Sequence, residues 1–288
     1  MQSLRQALVE ADRRKVAVGH FNISDLTALR AIVDAARELK FPVLIGLSEG
    51  ERDFFGTRTA AAAVRSLRDE FQHPIYLNAD HTHSLEKVRE VAQAGYDEVI
   101  FDGSKLPFDE NVKLARQAVE LAKSINPEIL VECEIGYIGS SSAILEKRPE
   151  ESLHLTTPEE ARQFAEETSL DVLAPAVGNM HGLLREMVTG AAHKHLNILR
   201  IEEIRRATGK FMTLHGGSGT EDKDFVAAIK AGMTIVHVNT ELRLAWRRGV
   251  EQGLRKDPDE VAPYKIMPSA YDAIRQVVKT RLALFNSN

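Results

Sequence analysis

Short apolar runs alternate with longer amphipathic stretches from one end of the chain to the other. The runs are Lys15–Gly19, Pro42–Leu47, Pro74–Leu77, Glu98–Phe101, Glu128–Cys133, Asp171–Ala176, Lys210–Leu214 and Thr234–Val238. Each is brief and flanked by helical patterning, the signature of a parallel strand buried on both faces. Between them, Ser24 offers an N-cap to Leu26, Leu29, Ile32, Val33 and Ala36 at helical spacing. Ser84 opens a second helix. Thr157-Pro158-Glu159-Glu160 opens a third, with proline at the first helical position and acids against the dipole. Eight strands alternating with helices predict a (β/α)8 TIM barrel of the α/β class, a doubly wound open sheet being the weaker alternative. No linker or change of composition divides the chain, so residues 1–288 are expected to form a single domain. Pro268–Phe285 reads as the eighth barrel helix, or as a C-terminal helical extension that packs on a partner.

Composition narrows the function. A net charge of -5 argues against a nucleic-acid surface, which needs a cationic footprint. Cys133 is the single cysteine, so no internal disulfide framework is expected. Met1–Lys15 carries scattered charges without a signal-peptide core, and no apolar run approaches the roughly 18 residues that span a bilayer. These features predict a cytoplasmic protein.

In such a barrel the chemistry gathers at the C-terminal ends of the strands. Strand one leads into His20-Phe21-Asn22, strand two into Ser48-Glu49-Gly50, strand three into Asn78-Ala79-Asp80-His81-Thr82-His83, and strand four into Asp102-Gly103-Ser104. Strand five ends at Glu134 and strand six leads to Gly178-Asn179-Met180-His181-Gly182. His215-Gly216-Gly217-Ser218-Gly219 follows strand seven, and His237-Val238-Asn239-Thr240 closes strand eight. Besides His20, five of the ten histidines thus stand where the strands converge: His81, His83, His181, His215 and His237. Three imidazoles with one open position make a catalytic zinc site, and His81, His181 and His215 are the chosen ligands. The glycines after His215 let the backbone approach an anion, Ser218 adds a hydroxyl, and Gly182 and Thr240 extend the same pocket. Asp80, directly before a proposed ligand, is placed as general acid or base. Glu134 is given an orienting role or an alternative metal position. Trp246 and Cys133 need only packing roles, and Arg243, Arg247 and Arg248 form a basic helix face.

Asp80-His81, Val131-Glu132-Cys133-Glu134-Ile135-Gly136, Ala176-Val177-Gly178-Asn179-Met180-His181-Gly182 and Leu214-His215-Gly216-Gly217-Ser218-Gly219 together resemble the class II, zinc-dependent ketose-bisphosphate aldolases. The resemblance runs nearly the whole length. It implies one Zn2+ per chain on His81, His181 and His215, Asp80 as acid/base at the substrate hydroxyl, and phosphate binding by Gly182, Gly216, Ser218 and Thr240. It further implies Asn22 and Ser48 near the substrate, with His237 and Asn239 at the same strand end, a monovalent cation (Na+ or K+), and a homodimer or homotetramer. The implied reaction is reversible aldol cleavage of a phosphorylated ketose, fructose 1,6-bisphosphate being the default, to a dihydroxyacetone-phosphate-type product and an aldehyde. Three positions depart from the family pattern: Thr82-His83 after the Asp-His pair, Ser140-Ser141-Ser142-Ala143 where a loop glutamate is usual, and His237 where asparagine is usual. The donor's base is therefore left open among Glu146, His237 and His83. A zinc-dependent phosphosugar isomerase or epimerase, or a non-catalytic phosphosugar binder, is the alternative reading.

Overall fold

The computed structural model describes residues 2–139, 143–147 and 154–287. Strands β1 (Val18–Asn22), β2 (Val43–Leu47), β3 (Ile75–Thr82), β4 (Glu98–Phe101), β5 (Leu130–Ile135), β7 (Val172–Pro175), β9 (Phe211–Leu214) and β10 (Met233–Val238) pair in parallel. They close into a barrel in the order β1-β10-β9-β7-β5-β4-β3-β2. β6 (Ile144–Leu145) and β8 (Leu183–Leu184) form a separate two-stranded pair beside it. The helices are α1 (Leu4–Arg14), α2 (Leu26–Leu39), α3 (Glu49–Phe55), α4 (Thr57–Phe71), α5 (Leu85–Ala94), α6 (Phe108–Ile125), α7 (Pro158–Thr168), α8 (Arg185–Val188), α9 (Ile198–Thr208), α10 (Asp222–Ala231), α11 (Thr240–Lys256), α12 (Pro263–Ile266) and α13 (Pro268–Phe285). Among the described residues no helix is long and apolar enough to cross a membrane.

The expected (β/α)8 barrel is the architecture found, with local corrections. Lys15 is not a strand residue: it caps α1 in the left-handed region at φ 56°, so β1 starts at Val18. The cap of α2 is Asp25 rather than Ser24, its carboxylate accepting from the Ala28 amide. β3 runs on through Asp80 and His81 instead of stopping at Leu77.

Helix α1, absent from the sequence reading, plugs the floor of the barrel. Its Leu4, Ala7, Leu8 and Ala11 pack with Val18, Leu44, Tyr76, Leu130, Val172 and Ile235 from the lower strands. Above that apolar floor the interior turns polar. His20 meets Asn78 at 3.1 Å, Asn78 donates to Glu98 at 2.8 Å, and Thr213 donates to Glu132 at 2.6 Å. At the seam, α13 packs against α2, α10, α11 and β1, so it completes the helical ring and α11 lies on it. The Ala17 amide donates to the Phe285 carbonyl at 3.0 Å.

Candidate active site

Neighbouring residues on a regular strand point to opposite faces, yet Asp80 and His81 both face the barrel mouth. The cause is local. The register of β3 against β4 shifts between Ala79 and Thr82, and His81 adopts φ 43°, a conformation disfavoured for a side chain with a Cβ. Buried Arg52 holds the distortion from behind, donating to the Asp80 carbonyl at 2.9 Å and to Thr82 Oγ1 at 3.1 Å. Thr82, one of the departures from the family pattern, therefore has a structural partner.

His81, Glu134, His181 and His215 each offer a ligand atom, and those atoms lie within 4.8 Å of one another. Glu134 Oε2 is 3.6 Å from His81 Nδ1 and 3.5 Å from His215 Nδ1. Both Glu134 oxygens, His181 Nε2 and His215 Nδ1 are buried without a hydrogen-bond partner. Buried polar atoms are nearly always satisfied, so four converging orphans fit a metal ion. Two of the rings are oriented from outside, as ligating histidines commonly are. His81 Nδ1 donates to Asp102 at 2.8 Å, and His215 Nε2 donates to Glu132 at 2.5 Å.

Burial opposes charge throughout this cluster. It pushes His215 down to about 3 and His181 well below the usual imidazole value, aided by neighbouring imidazoles. It also raises Glu134 well above the usual carboxylate range. His81 is the exception: burial lowers it, but Asp80 and Asp102 outweigh that and hold it up to about 10. Burial likewise raises Asp80, but His81 and His20 beside it and the Asn22 amide keep it below the ordinary carboxylate range. Asp80 thus stays ionised, and a metal ion would displace the proton from His81.

Beside the cluster, Asn22 donates to both Asp80 and Glu51 at 2.8 Å. A small cavity here is lined by Asn22, Asp80, His181 and His237, and by Gly182, Gly216, Ser218, Asn239 and Thr240 from the loops. Gly216 has φ 61°, and a Cβ there would meet the Met180 carbonyl at 2.3 Å, so only glycine permits this approach of two loops. Ser48 lines a second cavity of about 320 Å³ with Asp80, His81, His83, Lys105 and Arg243. Arg243, from the basic helix face, pairs with Glu51 at 2.6 Å while remaining half exposed.

The three candidate bases separate. His237 is buried, stacked between His20 (3.5 Å) and His215 (4.2 Å), with Nδ1 3.6 Å from Asp80. His83 is half exposed at the mouth, 3.2 Å from the Asp102 carbonyl. Glu146 is exposed and ion-paired with Arg185, outside both cavities. Ser140, Ser141 and Ser142 lie outside the described residues. Trp246 donates to Asp25 at 2.7 Å, and Cys133 is buried in β5.

The family model for class-II fructose-bisphosphate aldolases matches residues 2–288. A fructose-bisphosphate aldolase of Geobacillus stearothermophilus is 34% identical over 289 residues, covering 99% of this chain and 97% of that one. One from Staphylococcus epidermidis is 32% identical with 99% and 97% covered. Among solved structures, the YdjI aldolase of Escherichia coli K12 superposes with TM-score 0.83 at 26% identity, covering 99% of this chain and 97% of that chain.

Proposed function

The chain belongs to the class-II fructose-bisphosphate aldolase family and is a lyase of the aldolase kind acting on a phosphorylated ketose; from that premise we propose that zinc, held by His81, His181 and His215, works with Asp80 on a fructose-1,6-bisphosphate-like substrate. The observation that carries the metal site is the convergence of His81 with the orphaned atoms of His181, His215 and Glu134. Zinc suits imidazole ligands, and when bound it polarises a carbonyl oxygen as a Lewis acid. Glu134, whose carboxyl is held well above the usual carboxylate range by burial, serves as an orienting neighbour or, once ionised, as an alternative ligand.

Asp80 takes the proton of the substrate hydroxyl during cleavage and returns it during condensation, with Asn22 fixing one carboxylate oxygen and leaving Oδ1 open. The amides of Gly182 and Ser218, with Gly216, Asn239 and Thr240, receive one phosphate. Ser48 and Arg243 stand at the outer cavity, toward the far end of a bisphosphate. Of the candidate bases for the donor, His237 is favoured because it stands 3.6 Å from Asp80 in the same small cavity. The reading also carries a cytoplasmic homo-oligomer, which would cover the exposed Phe54.

The relatives lend no support to the isomerase or the non-catalytic alternative. The decisive experiment is elemental analysis of the purified protein beside a coupled triose-phosphate release assay on fructose and tagatose 1,6-bisphosphates. Zinc near one per chain with release supports the proposal. Zinc without release sinks the choice of substrate, and release without zinc sinks the ligand assignment.

A further inference from the structure

Lys194 is buried, and its ammonium reaches backbone oxygens from two loops at once. Nζ lies 2.7 Å from Met180 O, 2.7 Å from Gly182 O, 2.9 Å from Gly216 O and 2.6 Å from Ser218 O. An ammonium has three N–H donors, so four carbonyls at these distances form the coordination shell of a small cation rather than a set of individual hydrogen bonds. The Lys194 backbone is itself anchored, its amide donating to Gly219 O at 2.8 Å and its carbonyl accepting from Glu221 N at 3.3 Å.

The four carbonyls belong to peptide units pinned at their other ends too. The amide of His181 donates to Ile138 O (2.8 Å), that of Leu183 to Ala143 O (3.0 Å), and that of Gly217 to His237 O (3.1 Å). The amide of Gly219 donates to Glu241 Oε1 at 2.9 Å. A peptide is planar, so fixing both ends sets its plane. The Gly182 and Ser218 residues between these units line the small cavity proposed above for phosphate. Uncompensated, four carbonyl dipoles behind that cavity would repel an anion.

We infer that Lys194 is a built-in monovalent cation: its ammonium fills the carbonyl cradle behind the phosphate pocket, orders both glycine loops and supplies the positive charge that a free Na+ or K+ would otherwise provide. Lys194 is a positioning residue in this role, and the cradle does not suit the resident Na+ or K+ expected from the family resemblance. The inference rests on the phosphate reading of that pocket, not on which sugar is cleaved.

The test is inorganic phosphate binding to the zinc-loaded protein by calorimetry, with tetramethylammonium as the sole cation, then with added NH4Cl or KCl. Wild type is expected to bind equally in all three. Lys194→Ala should weaken phosphate about 10- to 100-fold, as expected for a lost charge-assisted contact, while keeping its zinc and its cooperative thermal transition. Ammonium, methylammonium or K+ should restore binding in the variant, and in cleavage assays should return a raised KM toward wild type. Several-fold strengthening of wild-type binding by K+ or NH4+ would overturn the inference, and that arm needs no variant. A folded Lys194→Ala that binds phosphate normally, or that no small cation rescues, would overturn it equally. Phosphate binding that behaves as expected without triose-phosphate release would instead count against the substrate proposed above.

Discussion

Asp80 has one oxygen tethered to Asn22 and the other left without a partner, an arrangement suited to receiving a proton and unsuited to a purely structural carboxylate. Asp80→Ala is expected to lower kcat by roughly 10²- to 10⁴-fold, the usual contribution of a positioned acid or base, with zinc content unchanged by elemental analysis. The carboxylates that hydrogen-bond to the proposed ligands, Asp102 to His81 and Glu132 to His215, should behave differently. Glu132→Gln and Asp102→Asn are expected to weaken metal affinity by roughly 10- to 100-fold, measured by competition with a chromophoric chelator; unaltered affinity would remove them from the site. The imidazoles were legible in the sequence because each stands after an apolar run. Glu132 was not, since its role depends on His215 arriving from a strand over eighty positions later. Lys194 left no trace at all, because nothing in its neighbourhood announces four carbonyls donated by distant loops.

At the level of elements, the alternation of apolar runs with helical stretches was sufficient to read the barrel, and it misjudged where strands stop. An apolar run marks only the part of a strand that faces the floor or the helices. β3 continues through Asn78, Asp80 and His81 because the upper interior is polar and hydrogen-bonded. Helix α1 escaped notice because its outward face is strongly charged, while its small apolar face finds cover only once the barrel floor exists. β2 shows how closely such an interior is fitted. A Cβ at Gly46 would come within 2.0 Å of the His20 ring, which itself stacks on His237. Gly46→Ala should therefore cost about 1–3 kcal/mol through overpacking, read as a lower midpoint in denaturant unfolding, and should disturb the histidine stack.

At the scale of the whole molecule, acid and chelation are expected to act through neighbouring but different buried groups, His20 for the first and the His81–His181–His215 cluster for the second. Burial lowers His20 from 6.5 to about 4, a shift that Asp80 and Asn78 only partly offset. Above pH 6.5 neither the folded nor the unfolded form holds that proton; between 6.5 and about 4 the unfolded form alone binds it, so stability falls with falling pH over that window. In His20→Asn this component should vanish, flattening the acid limb of the stability curve by about 1.4 kcal/mol per pH unit; an unchanged slope between pH 6.5 and 4 would refute a neutral His20. If the proposed zinc site is correct, removing the metal with a chelator should abolish cleavage and lower the thermal midpoint, with about 4 kcal/mol lost where the metal had stood at a thousand times its Kd. Added zinc should restore both.

The seam between β1 and α13 has a consequence for how the chain is made. Ala17 finds its carbonyl partner only at Phe285, and β1 gains its second neighbour only with β10. On a ribosome adding 5–20 residues per second, that closure trails the synthesis of β1 by on the order of 15–50 s. Throughout that interval the nascent sheet carries an open edge and an uncovered apolar face, the surfaces on which chaperones and aggregation compete. A stop codon placed before α13 would still let β10 pair with β1, but would leave the Ala17 amide without its partner and the apolar face under α13 uncovered, so the shortened chain is expected to stay prone to aggregation after synthesis ends.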